Sequence, residues 1–244
     1  MFGFKKHFKN LLIRHNIISS EFLEIISKDP FNKRFNNQIT KHQFFYSALY
    51  LIKANGISGD YAEFGCFSGT TFKLAYLEKK RQNLDLKFWA FDSFKGLPDG
   101  SDIKDLHPAW KKGAMSMSVN EFIKKCDKNN IPRSGYNIIP GFYEKSLNDK
   151  TTDFPSDISL AYIDCDFYSS TMDVLRFLVP RLKHGMIIAF DDYFMYSSNS
   201  ISGNRNAMLE IFDEKFSFQL LPYMQYSHTG FSFIVEDKNI NTGS

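Results

Sequence analysis

The chain has 244 residues, which suits one α/β domain with additions, and its hydrophobic fraction of 43%, with 26 phenylalanines, is enough for a sizeable core. Its 30 basic and 27 acidic residues leave a formal charge of +3, too balanced for nucleic acid to be the main partner. The three cysteines, Cys66, Cys126 and Cys165, lack CxxC spacing, which argues against a disulfide framework or a zinc site and fits a reducing cytoplasm.

Residues 1–20 carry Lys5, Lys6, Lys9 and Arg14 without an acid, and Phe4, Phe8, Leu11, Leu12 and His15 fall at helical spacing. Such a helix either packs on the domain edge or on another subunit, or makes a weak membrane-surface contact. Arg14 interrupts its apolar stretch, so it does not read as a signal peptide. No apolar run is long enough for a transmembrane segment. Residues 41–53 predict a second helix, apolar at Phe44, Phe45, Ala48, Leu49 and Ile52, and stopped by Gly56 and Gly59. These helices form an N-terminal cap or interface region over 1–58, compatible with a homodimer.

The pattern then alternates. Strands are predicted at 61–64, 88–91, 136–139, 160–163 and 186–190, mostly as continuous apolar runs that suit a parallel sheet buried on both faces. A helix over 170–182 is expected between the last two, with Ser169 or Ser170 as its cap and Arg181, Lys183 and His184 near its end. That crossover specifies a parallel pair. Strands at 216–221 and 231–235 close the sheet around a connection over 222–230. Residues 239–244 form a tail. The irregular segment 96–135 reads as a lid, with one helix started by the capping box Ser118-Val119-Asn120-Glu121.

Two features carry chemistry. The run Tyr61-Ala62-Glu63-Phe64-Gly65-Cys66-Phe67-Ser68-Gly69 takes a strand into a Gly-x-x-x-Gly turn where backbone can approach a ligand closely. The next strand ends in Asp92, where a carboxylate suits ribose hydroxyls. Further on, two strand ends carry four aspartates, Asp164-Cys165-Asp166 and Asp191-Asp192. On neighbouring parallel strands they would meet at the ligand-binding edge, where their repulsion calls for protons or a cation. An oxygen-only donor set favours Mg²⁺, with Mn²⁺ or Ca²⁺ as alternatives. Helix capping by Asp166 is the plainer alternative.

These residues resemble the macrocin O-methyltransferase (TylF-like) family over about residues 59–209. The resemblance rests on Ala62 to Gly69, on Phe91-Asp92-Ser93-Phe94-Lys95-Gly96-Leu97-Pro98, on Pro140-Gly141-Phe142-Tyr143, and above all on Ile163-Asp164-Cys165-Asp166-Phe167-Tyr168-Ser169-Ser170-Thr171-Met172 continued to Asp191-Asp192-Tyr193. It implies a Rossmann-like class I methyltransferase domain over 59–238, with a seven-stranded, mostly parallel sheet, helices on both faces and an antiparallel last strand. It implies S-adenosylmethionine as cofactor and a sugar-containing acceptor. Glu63, Gly65 and Ser68 would lie at the methionine end of the cofactor, with Phe67 and Gly69 also contacting the cofactor. Asp92 would hold the ribose, with Ser93, Phe94, Gly141, Phe142 and Tyr143 near the adenosine. Asp164, also beside the cofactor, would bind the metal with Asp191 and Asp192, and Asp166 would be the base. Arg205, Tyr193 and His228 would face the acceptor. A nicotinamide-dependent oxidoreductase, a non-catalytic cofactor-binding scaffold and a catechol-type acceptor stand as alternatives.

Overall fold

The computed structural model describes residues 33–100, 102–105, 107 and 110–240. The helix expected within 1–20 and its membrane or subunit contacts lie outside the described residues. Numbering elements from there, α1 is Lys33–Ala54, β1 Asp60–Phe64, α2 Thr70–Arg81, β2 Phe88–Asp92, α3 Val119–Lys128, β3 Tyr136–Pro140 and α4 Tyr143–Ser146. Then follow β4 Ile158–Ile163, α5 Tyr168–Leu178, β5 Ile187–Phe190, α6 Gly203–Ile211, β6 Phe218–Gln225 and β7 Phe231–Asp237.

The strands form one seven-stranded sheet in the order β3-β2-β1-β4-β5-β7-β6. β1 to β5 run parallel, and β7 is antiparallel to both of its neighbours, as the resemblance implies. The period of two in each strand sorts its side chains between two cores. Tyr61, Phe88, Ala90, Leu160, Tyr162 and Ile187 face one side, where Phe44, Phe45 and Leu49 of α1 join Phe72 of α2 and Phe122 of α3. Ala62, Phe64, Phe91, Ile163 and Phe190 face the other, against Leu175 and Phe177 of α5 and Met208 of α6. Because both faces are covered, the central strands β1, β4 and β5 are almost continuously buried.

Several elements differ from the sequence expectation for local reasons. α1 is longer than the expected 41–53 and shares the core of β1, although it precedes the expected boundary at residue 58. It is also tied to α2, where His42 Nε2 lies 2.8 Å from the buried Glu78 carboxylate. α5 ends at Leu178, and the expected continuation tightens into a 3₁₀ turn at Val179–Arg181 around Pro180. β6 runs through Pro222 instead of stopping before it. An edge strand tolerates a missing ladder donor, and a register shift between Pro222 and Met224 absorbs it. α6 has no strong sequence signature and its helix is started by Ser202, whose hydroxyl accepts from the Arg205 amide. The capping box at Ser118 and Glu121 forms as expected.

The parallel strands all deliver their carboxyl ends to one edge, and backbone crossing there is tight. The Gly65 amide donates to the Phe91 carbonyl, and the Asp164 amide donates to the Phe64 carbonyl. Gly65 has φ +95°, and a Cβ on it would lie 1.7 Å from the Asp164 carbonyl oxygen. Gly65→Ala therefore meets both a backbone clash and a strained dihedral, and costs on the order of 3 kcal/mol. Urea unfolding with an unchanged slope and a lowered midpoint is the expected result.

Candidate active site

The edge gathers the aspartates that end β4 and β5. One oxygen from each of Asp164, Asp166 and Asp192 falls within 4.8 Å of the others. Asp192 is 7% exposed, and among the described residues its Oδ2 meets no donor outside the carboxyl cluster. Asp166 sits at φ +61°, a left-handed turn that an aspartate tolerates and that turns the chain from β4 towards α5. Burial, reinforced by the charge of Asp164, raises the Asp166 pKa to about 7. Burial and the neighbouring carboxylates likewise push Asp164 and Asp192 well above the usual range. Three crowded acids with one orphaned oxygen form a site that a hard cation would relieve.

Asp191, expected among the metal ligands, is not in that group. Its Oδ1 accepts from the Tyr162 hydroxyl at 2.6 Å and its Oδ2 from the Lys41 ammonium at 2.8 Å. Sequence reasoning missed Lys41. Its only signal was its place one turn before Phe44 and Phe45, whose docking on Tyr162 and Tyr61 carries it to the sheet edge.

The glycine turn lies beside this cluster, because β1 pairs with β4. Ser68 and Gly69 have positive φ and lead straight into α2. Glu63 is fully buried beneath the turn, accepting from the Tyr61 hydroxyl and, at 2.6 Å, from Thr71. It braces the turn from inside, and burial raises its pKa to about 7. Asp92 links the β1 and β2 turns, accepting from the Cys66 amide at 2.6 Å and the Phe94 amide at 2.7 Å. Ser93 closes its own turn by donating to the Gly96 carbonyl. Phe94 packs on Phe122, whereas Phe67 is half-exposed at a cleft of about 340 Å³ that also touches Met117 and Lys124. At Gly141 the chain turns so that Phe142 faces outward. Tyr143 faces inward, donating to the Phe91 carbonyl and burying its ring, so only Phe142 of that pair is open to a ligand.

On the far side of the carboxylates, Asp166 and Asp192 line a crevice of about 10 Å³ with His107, Trp110 and Gly203. Gly203 is needed there because a Cβ would lie 2.6 Å from the Tyr168 amide nitrogen. Its neighbour Asn204, fully buried, accepts from the Asp192 amide and donates to Thr171 at 2.7 Å, fixing α6 to β5 and α5. Arg205 donates to the Tyr196 hydroxyl at 3.0 Å and lies beside Tyr193. His228 is exposed in the β6–β7 hairpin, whose Thr229 carbonyl accepts from the Phe194 amide. Arg205 and Tyr193 therefore sit together, with His228 on an adjacent loop.

The segment 96–135 reaches the same place. Asp105 is 3% exposed and caps α5 from a distance, accepting from the Ser169 amide at 2.9 Å and the Ser169 hydroxyl at 2.8 Å. Phe167, not a serine, occupies the N-cap position of α5, so the expected local cap is supplied by this loop. Lys104 pairs with Glu210 of α6 and lies over the Tyr168 ring.

A family model described as Macrocin-O-methyltransferase (TylF) matches residues 40–208. The chain is 26% identical over 149 residues to the 8-demethyl-8-(2,3-dimethoxy-alpha-L-rhamnosyl)-tetracenomycin-C 4'-O-methyltransferase of Streptomyces olivaceus, matching 58% of this chain and 56% of that protein. It is 25% identical over 149 residues to the demethyldecarbamoylnovobiocin O-methyltransferase of Streptomyces niveus, matching 58% of this chain and 55% of that protein. The chain thus spans little more than half the length of these relatives. In fold it is similar to the O-methyltransferase NovP, with a TM-score of 0.71 and 18% identity over 94% of this chain and 98% of that one.

Asp105→Ala removes the cap of α5 and the anchor of the loop together. Loss of the cap costs about 0.5–2 kcal/mol. Limited proteolysis should cut the 96–117 stretch faster than in the unsubstituted protein, with a lowered Tm.

Proposed function

Because the chain belongs to the macrocin O-methyltransferase family, we propose that it transfers a methyl group from S-adenosylmethionine to a sugar hydroxyl, with a divalent cation at the carboxylate cluster. The observation that carries this reading is the convergence of Asp164, Asp166 and Asp192, including one orphaned buried oxygen, beside the glycine turn of β1. The sugar acceptor rests on the names of the relatives, one of which acts on a rhamnosyl tetracenomycin.

The chain's own residues divide the work. The turn at Gly65, Ser68 and Gly69 offers backbone to the methionine end of the cofactor, and Asp92 offers carboxylate oxygens to the ribose. Phe142 offers an exposed ring to the adenosine, and the turn at Ser93 and Phe94 lies near it. The oxygen donors suit Mg²⁺ or Mn²⁺ held by Asp164, Asp166 and Asp192, with no histidine or cysteine in the group. Such an ion supplies a lowered pKa for an acceptor hydroxyl and a fixed orientation for its neighbour. Asp166 offers one oxygen to that group and keeps the other for the acceptor proton. Arg205, Tyr193 and Trp110 shape the acceptor side. The crevice is narrow, and movement of the loop around His107 and Trp110, within the segment expected as a lid, would open it to a sugar, whereas α3 stays in the core. Alignment of the acceptor with the methyl group contributes at most ~7–11 kcal/mol.

We place the reaction in the cytoplasm on the cysteine usage, since all three thiols are free and buried. Among the described residues no helix is long and apolar enough to cross a membrane.

A methyl-transfer assay against sugar glycosides, nucleotide sugars and catechols tests the reading. Turnover with a sugar acceptor is expected. Asp166→Asn should lower kcat by roughly 10²–10⁴-fold while leaving S-adenosylhomocysteine affinity nearly intact. An unchanged rate would remove Asp166 as the base.

A further inference from the structure

We propose that the acceptor is a sugar carrying a phosphoryl or pyrophosphoryl group, and that Arg205 holds the phosphate while a sugar hydroxyl reaches the carboxylate cluster. The inference rests on the methyl-transfer reading above and names the chemical class of the acceptor.

The acceptor crevice has an acidic floor and a basic rim. Asp166 and Asp192 form the floor, and Lys104, His107 and Trp110 line it from the loop. Between residues 104 and 112 that loop carries Lys104, His107, Lys111 and Lys112 with a single acid, Asp105, which is buried against Ser169. Lys104 is engaged by Glu210 and Lys112 by Asp99, while Lys111 is exposed. From the α6 side, Ser202 and Gly203 line the crevice and Arg205 follows two residues on. Among the described residues Arg205 meets no carboxylate. Its partners are the Tyr196 hydroxyl, at 3.0 Å, and the Tyr193 hydroxyl.

A guanidinium held by two hydroxyls keeps its full charge. Its remaining N–H donors suit an oxyanion in a paired geometry, and the hydroxyl protons can turn to the same anion. A neutral glycoside would leave that charge unused. Hydroxyls wanted at the floor and an anion wanted at the rim describe one ligand, a phosphorylated sugar. The accessible lining of the crevice is mainly polar, which does not suit a large apolar aglycone. The His107 and Trp110 rings, 5.1 Å apart between centroids and inclined by 36°, form an aromatic ledge on which the base of a nucleoside diphosphate sugar would stack.

The test is calorimetric titration of the full chain, loaded with S-adenosylhomocysteine and Mg²⁺, with dTDP-, UDP- and GDP-sugars, the matching sugar 1-phosphates and the matching methyl glycosides. The best phosphorylated probe is expected to bind about ten-fold or more tightly than its methyl glycoside, and added salt should erode that advantage. Arg205→Gln should bring the two close to parity. If Arg205→Gln does not fold, Arg205→Lys, which keeps the charge without the fork, should still reduce the preference. Tighter binding of the nucleotide sugar than of the 1-phosphate, lost in Trp110→Ala, identifies a nucleotide as the source of the phosphate; equal binding of the two identifies a sugar 1-phosphate. Equal affinity for phosphorylated and neutral sugars, or a preference untouched by the Arg205 variants, overturns the inference, and bound S-adenosylhomocysteine then leaves the methyl-transfer reading standing. Failure of S-adenosylhomocysteine to bind overturns both.

Discussion

Mutual repulsion among carboxylates is the constraint on which the site depends. Asp164, Asp166 and Asp192 are brought together by the parallel pairing of β4 with β5, which aligns Ile163 with Phe190 just before both strands end. No single one of them would be unusual. Together, and largely buried, they crowd like charges at one sheet edge, where among the described residues Asp192 Oδ2 meets no donor outside the cluster. The surrounding fold supplies the restraint. Asn204 fixes the Asp192 backbone, the left-handed turn at Asp166 aims its carboxylate across the edge, and Gly65 allows the β1 turn to pass against Asp164.

The charge balance reaches beyond those three residues. α1 brings one buried ammonium to Asp191, and its aromatic residues occupy the same core as β1 and β4. Glu63, on the same face of the sheet, is held differently: two hydroxyls donate to its carboxylate, while burial raises its pKa to about 7. Packing and electrostatics are therefore one problem here. The helix that completes the core also supplies the positive charge at the sheet edge.

Much of this is legible in the sequence. The buried strands announce themselves as apolar runs, and the two acidic strand ends predict a shared edge once a parallel pair is inferred. The capping box at Ser118 is local and reads directly. The features that escape are those made by distant partners. Asp105 caps α5 across 64 residues, and Lys41 meets Asp191 across 150, and no local pattern marks either. Tyr143 reads as a ligand contact from its motif, but the turn after Gly141 sends it into the core and leaves Phe142 outside. Pro222 suggests a loop, and only its place on an edge strand explains how β6 passes through it. The acidic run Asp191-Asp192 gives no local sign that Asp191 pairs with Lys41 and Tyr162 while Asp192 joins Asp164 and Asp166.

The most direct test is calorimetric titration of the protein with S-adenosylhomocysteine and separately with Mg²⁺, repeated in EDTA and with Asp192→Asn. The account predicts that S-adenosylhomocysteine binds in every case, and that a distinct Mg²⁺ signal appears with the unsubstituted protein and is lost in Asp192→Asn. No S-adenosylhomocysteine binding under any condition would contradict the methyl-transfer reading at its root. A Mg²⁺ signal indifferent to Asp192→Asn would contradict the placement of the ion at the β4–β5 edge.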